Sequence, residues 1–184
     1  MKQQANGNWI LLPYLLIVGV AIARLSMSHP YNFVPIFSCL LFFAATRPRR
    51  EYAIPLFALM GVDIFLTVIR YGYPLTRDHA VTWLWYLAAL ILGAGMLQNS
   101  VSVTRALVAS LVISVSFFLA SNFAVWAAWG MYPKTWSGLA SCYVAAVPFF
   151  RNSIVAETVS SVVVFGLRNM ASHGPQPGEC SACS

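Results

Sequence analysis

Six apolar runs, separated by short clusters of polar and charged residues, constrain the fold of this chain more than any other feature. Of its 184 residues, 59% are hydrophobic and only 9% are charged. A soluble domain of this length has too little interior to bury so much apolar surface. The sequence therefore predicts an all-α integral membrane protein with six transmembrane helices.

The predicted helices form a single domain over residues 1–168. Their predicted ranges are 9–25, 33–46, 52–70, 83–98, 105–129 and 141–167. The second is short, and Pro35 predicts a broken or tilted start. Residues 169–184 are rich in Gly, Pro and Ser, which predicts a disordered cytoplasmic tail.

Six spans would put both termini on one side of the membrane, and the basic residues favour one orientation. The side shared with the termini holds Lys2, Arg47, Arg49, Arg50, Arg105 and Arg168, whereas the other holds Arg24, Arg70, Arg77 and Lys134. Cytoplasmic segments carry the excess of Lys and Arg, so we expect both termini in the cytoplasm and the protein in the bacterial inner membrane. The same distribution beside apolar runs, without a basic stripe, argues against nucleic-acid binding despite the net charge of +6.

This orientation sends the ring-rich connections outward. The stretch 121–152 leaves one apolar helix, crosses a loop containing Trp, Tyr, Pro and Lys, and enters a second apolar helix. Amphipathic rings suit the membrane surface, and hydrogen-bonding loops gathered on one face predict a binding face.

Two opposite charges fall near the predicted bilayer centre. Asp63 lies about 15–17 Å from the inner start of the third helix, and Arg151 lies at a similar depth from the outer start of the sixth. An unpaired charge at that depth costs at least about 2.5 kcal/mol, so each needs a partner or a watery cavity. Either the two residues pair with each other, or one or both face a ligand.

Small residues recur at four-residue spacing on two helices. Gly19 and Ala23 give the first helix a face that another helix can approach closely, either within the bundle or on a partner protein. Ala89 and Gly93 form a second close-contact pair on the fourth helix.

Sequence support for catalysis is lacking. The chain contains no phosphate-binding Gly loop after a strand, no His-Glu-x-x-His and no Gly-x-Ser-x-Gly. Its three His are scattered, and the Cys180-x-x-Cys183 pair is a single weak signal on the tail. We therefore expect neither an enzyme nor a resident metal or cofactor.

Several short sequence segments between about residues 24 and 167 resemble those of a known family. HPYNFVPI at 29–36, the intramembrane Asp63, SNFAVW at 121–126, YPKTWSGL at 132–139 and CYVAAVPFFRNS at 142–153 resemble DUF6580, a family of bacterial six-span proteins. The overall arrangement is also similar to substrate-binding S components of energy-coupling factor (ECF) vitamin transporters.

The S-component resemblance implies a vitamin or related small molecule held between outer loops and helix ends. By position, the implied substrate-binding residues are His29, Asn32, Asp63, His79, Asn122, Trp126, Trp136 and Arg151. It also implies docking through Gly19 and Ala23 to a coupling subunit driven by two ATPases.

The cobalamin-specific, BtuM-like group is the nearest in its arrangement of His, Asp and Arg, which makes a corrinoid one candidate substrate. A cysteine can ligate cobalt in that group, but this chain has no Cys between Cys39 and Cys142. His79 is the substitute that the sequence offers, because an imidazole nitrogen is an acceptable ligand for cobalt.

Three functions follow from these patterns. The first is a binding subunit for uptake of a small organic nutrient, and the second is a membrane assembly or interaction protein without transport activity. The third is a membrane enzyme or redox protein using His29, His79 or the tail thiols. A ligand-sized cavity at the outer end would favour the first, and a filled outer end would favour the second.

Overall fold

The computed structural model describes residues 8–26, 34–99 and 101–172, and this part of the chain contains six α-helices and no strand. The helices are α1 (Asn8–Ser26), α2 (Ile36–Thr46), α3 (Ala53–Ile64), α4 (Asp78–Leu97), α5 (Val103–Ala128) and α6 (Trp136–Ser172). A 3-10 turn, Arg49–Glu51, precedes α3, and a π-helical segment, Phe65–Arg70, continues it. The predicted all-α class is confirmed.

Four helices are long and apolar enough to cross a membrane. They are Arg49–Arg70, Asp78–Leu97, Val103–Ala128 and Trp136–Ala171, by length and composition. Ile10–Ser26 and Ile36–Thr46 are apolar but shorter. Exposed Leu, Ile, Val and Phe side chains cover the outside of the bundle, as they do in a membrane protein.

Two helices, α4 and α6, each begin five residues earlier than the sequence predicts. α4 begins at Asp78 and not at residue 83, because an acidic side chain in the first turn favours the positive end of the helix dipole. α6 begins at Trp136 and not at residue 141, after Thr135 accepts a hydrogen bond from the N–H of Gly138. α6 also continues to Ser172, so residues 169–172, predicted to belong to the tail, are helical.

The core is built around α2. Every residue from Phe37 to Ala45 is buried, and α2 contacts α1, α4, α5 and α6. Its 11 residues give a length of about 16 Å, roughly half of a 30 Å hydrocarbon layer. α2 ends beside Arg47, Arg49 and Arg50, which define the basic end of the bundle, so its N-terminus lies about halfway along the bundle.

The basic end is tied together by Glu51. Its carboxylate accepts hydrogen bonds from the Tyr14 hydroxyl at 2.5 Å and from Arg47 Nε at 2.7 Å. The Arg47 guanidinium also lies 5.1 Å from the centre of the Tyr14 ring. These contacts join α1 to the link between α2 and α3 and close this end.

α4 packs against α2 through the small residues that the sequence predicts to be in close contact. Ala89 and Gly93 are both buried. A Cβ atom at Gly93 would lie 2.8 Å from the Ala44 Cβ and 3.1 Å from the Leu41 carbonyl oxygen. The two backbones can approach this closely only because residue 93 has no side chain.

We expect the substitution Gly93→Ala to lower the melting temperature of the purified protein in detergent. Overpacking at a backbone contact costs about 1–3 kcal/mol, more than the gain in helix propensity of up to about 1 kcal/mol. Gly95→Ala is the matched control, because Gly95 lies on the same helix with open space around its Cβ position. Equal melting temperatures for the two variants would contradict the close α2–α4 contact.

Candidate ligand-binding cavity

A cavity of about 510 Å³ occupies the half of the bundle that faces away from the basic end. Its floor contains Asp63, Glu157 and the start of α2, and it extends to Tyr71 and Asp78, where the chain passes from α3 to α4. The other lining residues are Arg24, Val34, Ile36, Phe37, Leu66, Thr67, His79, Thr82, Tyr86, Ser114, Phe117, Phe118, Ser121, Asn122, Ala146, Phe149, Phe150 and Ser153.

Asp63 is the centre of a buried polar cluster on one side of the floor. Its Oδ1 lies 2.5 Å from Arg24 Nη1 and accepts a hydrogen bond from the Tyr86 hydroxyl at 3.5 Å. Its Oδ2 accepts a hydrogen bond from Trp83 Nε1 at 3.2 Å. Arg24 also donates to the Tyr86 oxygen at 3.0 Å. The cluster joins α1, α3 and α4 and satisfies a carboxylate that would be costly at this depth.

The hypothesis that Asp63 pairs with Arg151 is wrong, because its ionic partner is Arg24. The sequence predicts Arg24 inside the first helix near its external end, and α1 is helical to Ser26. Arg24 therefore stays beside the bundle, and its long side chain reaches Asp63. Arg151 is exposed on α6 and does not line the cavity.

Glu157 forms the other side of the floor by capping α2. Its Oε1 accepts the N–H of Phe37 at 2.9 Å, and its Oε2 accepts the N–H of Ser38 at 2.7 Å. The Ser38 hydroxyl also donates to this carboxylate. Ser161, one turn further along α6, lies 3.0 Å from the Ser38 hydroxyl oxygen and 3.0 Å from the Ser110 hydroxyl oxygen on α5.

The cap is needed because α2 cannot cap itself. Its N-cap residue is Pro35, which has no side-chain acceptor, and the helix begins among buried residues. Unpaired N–H groups at such a site cost several kcal/mol. A carboxylate satisfies two of them and interacts favourably with the positive end of the helix dipole. Glu157 and the start of α2 therefore neutralise each other in part.

His79 stands on the opposite side of the cavity from Glu157, in the first turn of α4. Its Nε2 lies 3.0 Å from the Thr67 hydroxyl, and its Nδ1 lies 3.3 Å from the Thr76 hydroxyl. Thr67 belongs to the π-helical segment, where the N–H of Tyr71 bonds to the carbonyl of Leu66 at 3.0 Å. Such segments often occur at functional sites, and this one directs Thr67 and Leu66 toward the cavity.

Four phenylalanine rings, called here the aromatic wall, also line the cavity. They are Phe117 and Phe118 from α5 and Phe149 and Phe150 from α6. The rings of Phe118 and Phe150 stack with centroids 4.2 Å apart. The cavity thus combines aromatic rings with charged and hydrogen-bonding groups, which is the usual composition of a small-molecule site.

The structure brings three of the predicted site residues to one cavity: Asp63, His79 and Asn122. Trp126 and Trp136 do not line it. The Trp126 indole donates to the Pro133 carbonyl at 2.9 Å and thereby holds the turn between α5 and α6. Trp136 is 87% exposed at the start of α6.

Other predictions remain untested. His29 and Asn32 lie outside the described residues, as do Cys180 and Cys183. Gly19 is exposed on α1 with nothing within 4 Å of its Cβ position, and Ala23 is half-buried. Docking of a partner at this face stays a prediction.

Sequence reasoning did not place Arg24, Asp78, Tyr86 or Glu157 in the site. A signal existed for Glu157, because a glutamate inside an apolar helix needs a partner and α2 starts without a side-chain cap. For Tyr86, hidden among the apolar residues of α4, the sequence carries no local signal.

A family model covers nearly all of this helical unit. It describes a family of unknown function, DUF6580, and matches residues 3–177. The chain belongs to the DUF6580 family. No curated protein and no solved structure gives a significant match to it. Within the described ranges of this DUF6580 protein, no group of three or more His, Cys, Asp or Glu residues could hold a metal ion.

We expect Arg24→Met and Asp63→Leu each to destabilise the protein by about 3–5 kcal/mol, because each leaves a buried charge unpaired. The charge-free double variant should lie closer to the wild type than either single variant. Thermal unfolding in detergent provides the double-mutant cycle. In the control cycle, Arg151→Met should show no coupling with Asp63→Leu, and coupling there without coupling to Arg24 would contradict the observed pair.

We expect Glu157→Gln to lower the melting temperature, since an amide has one acceptor oxygen where the carboxylate has two. Its NH₂ group would face a backbone N–H of α2, and a buried unsatisfied donor costs about 1–3 kcal/mol. Hydrogen exchange should then quicken at Phe37 and Ser38 before it changes elsewhere in α2. Unchanged exchange at these two amides would rule out the capping role.

Proposed function

We propose that this DUF6580 protein is a membrane substrate-binding subunit for uptake of a small organic nutrient. The observation that carries the proposal is the cavity of about 510 Å³ that reaches the middle of the bundle. Its volume falls within the range of about 300–1,000 Å³ typical of small-molecule sites. A polar floor together with an aromatic wall can orient a ligand that has both polar and apolar parts.

The asymmetry of the bundle supports capture from outside the cell. α2 and the Glu51 contacts fill the basic end, whereas the cavity occupies the other half. Basic residues favour the cytoplasmic side, so the cavity would face outward. In this proposal all six helices cross or enter the bacterial inner membrane, with both termini in the cytoplasm.

The similarity to ECF S components extends the proposal to a partner. An exposed Gly19 with open space around it would let a helix of a coupling subunit approach α1 closely. The substrate would then be a vitamin or related compound. The volume of the cavity favours a compact nutrient over a corrinoid, whose macrocycle and side groups exceed a drug-sized ligand.

The alternative is a membrane assembly or interaction protein without transport activity. The same exposed Gly19 favours it, since a helix-docking face serves either role. A partner-binding role alone gives no reason for a polar cavity at the centre of the bundle. The two proposals differ in whether filling that cavity has a functional effect.

We expect Ala146→Phe to abolish retention of a co-purifying small molecule, because the added ring would occupy the cavity that Ala146 lines. Ala145→Phe is the matched control, since Ala145 is exposed on the same helix and lies outside the lining. Native mass spectrometry of gently purified protein measures the bound mass. No bound molecule in the wild type, or equal retention by both variants, would contradict the proposal.

A further inference from the structure

We infer that the cavity selects a compact organic cation, such as a protonated or quaternary amine with an apolar body. This inference rests on the proposed function and names the class of its substrate. It follows from how the charges along the cavity are compensated and from the rings that line the cavity with them.

The lining contains more negative than positive groups. Among the described residues, the carboxyl groups of Asp63, Asp78 and Glu157 line the cavity, and Arg24 is the one Lys or Arg that does so. His79 adds a titratable ring. In a medium of low dielectric constant each uncompensated charge is costly, so the partners of each carboxylate decide what the cavity requires.

Two of the carboxylates are already compensated by the protein. Asp63 is in contact with Arg24 at 2.5 Å and accepts hydrogen bonds from Trp83 and Tyr86. Glu157 accepts two backbone N–H groups and lies at the positive end of α2. Neither pairing leaves a net positive group for an anionic ligand, because the guanidinium of Arg24 is neutralised by its own partner.

Asp78 lies in the first turn of α4, where the helix dipole favours a negative charge, but it has fewer direct partners than either of the other two carboxylates. Its Oδ1 is buried and has no hydrogen-bond partner. His79 Nδ1 lies 3.8 Å from this Oδ1, which is beyond hydrogen-bond distance but makes an ion pair when the ring is protonated. The side chain as a whole is 24% exposed and lines the cavity, so a ligand would meet the part of the carboxylate outside the buried Oδ1. One carboxylate is therefore available for one positive charge.

The aromatic wall suits the same ligand. Cations bind over the faces of aromatic rings, with a gain of about 0.5–2 kcal/mol that is greatest in desolvated sites. Phe117, Phe118, Phe149 and Phe150 offer ring surface without a hydrogen-bonding group of their own. An organic cation can place its apolar substituents against these rings and its charge toward Asp78.

The test uses the full chain in lipid nanodiscs and matched probes. Choline and benzyltrimethylammonium are the cations. The compound 3,3-dimethylbutan-1-ol replaces the choline nitrogen with carbon and is neutral, and 3,3-dimethylbutanoate is the corresponding carboxylate. Isothermal titration measures binding of each probe to the wild type, Asp78→Asn and Arg77→Gln.

We expect the wild type to bind at least one cation about tenfold or more tightly than either isostere, since a buried charge pair carries most of the discrimination. Asp78→Asn should weaken cation binding by about tenfold or more and leave the neutral isostere unchanged. Arg77→Gln is the control, because Arg77 is an exposed neighbour outside the lining. The melting temperature of ligand-free Asp78→Asn reports separately on the role of Asp78 in starting α4.

Three results would overturn the inference: an isostere that binds as tightly as the cations, unchanged cation binding by Asp78→Asn, or no binding of either cation. The proposed function is judged separately, by the mass retained in the Ala146→Phe comparison. If the retained molecule is neutral or anionic, the proposed nutrient binding stands and the inference of a cationic substrate is contradicted. If the wild type retains no molecule at all, the proposed nutrient binding is itself contradicted.

Discussion

The structure depends on the contact between Glu157 and the first turn of α2. A helix of half the bilayer thickness must begin inside the bundle, where its first N–H groups need acceptors. A carboxylate in the same place would be costly if it stood alone. When the two groups are in contact, each lowers the free-energy cost of burying the other. α2 can therefore begin partway across the bundle with its first N–H groups paired.

This contact makes room for the cavity. A second helix long enough to cross the bilayer would extend between α4, α5 and α6. Because α2 begins only at Ile36, side chains of the neighbouring helices line a cavity there. The Arg24–Asp63 pair joins α1 to α3 at the floor of the cavity. Asp63 and Glu157 in the floor thus have structural roles. Asp78 differs because its buried Oδ1 accepts no hydrogen bond.

The helices could be predicted from the sequence because they depend on local composition, whereas the side-chain contacts between them could not. Apolar runs predicted six helices, Pro35 predicted an irregular start of the second helix, and Ala89 with Gly93 predicted a close approach, because each signal is local. The depth of Asp63 correctly predicted that it needs a partner. The identity of that partner depends on how α1 packs against α3, which brings Arg24 to Asp63 and which no short pattern determines.

The candidate site was predicted only in part for the same reason. Asp63, His79 and Asn122 were predicted by position from the resemblance to S components, and all three line the cavity. Trp126 does not line the cavity, and its indole donates to the Pro133 carbonyl, because a tryptophan near a helix end can stabilise a turn. The cap on α2 joins residues 119 and 120 positions apart, so the pairing becomes visible only in three dimensions.

The half-length of α2 also has an electrical consequence. Dry, packed protein fills the bundle from the start of α2 to the basic end, while a polar cavity takes up the remaining half. The voltage across an energised membrane drops mainly over the region of low dielectric constant. Moving one charge through the full drop of 100 mV involves about 2.3 kcal/mol, and most of that work would be done between the floor of the cavity and the basic end.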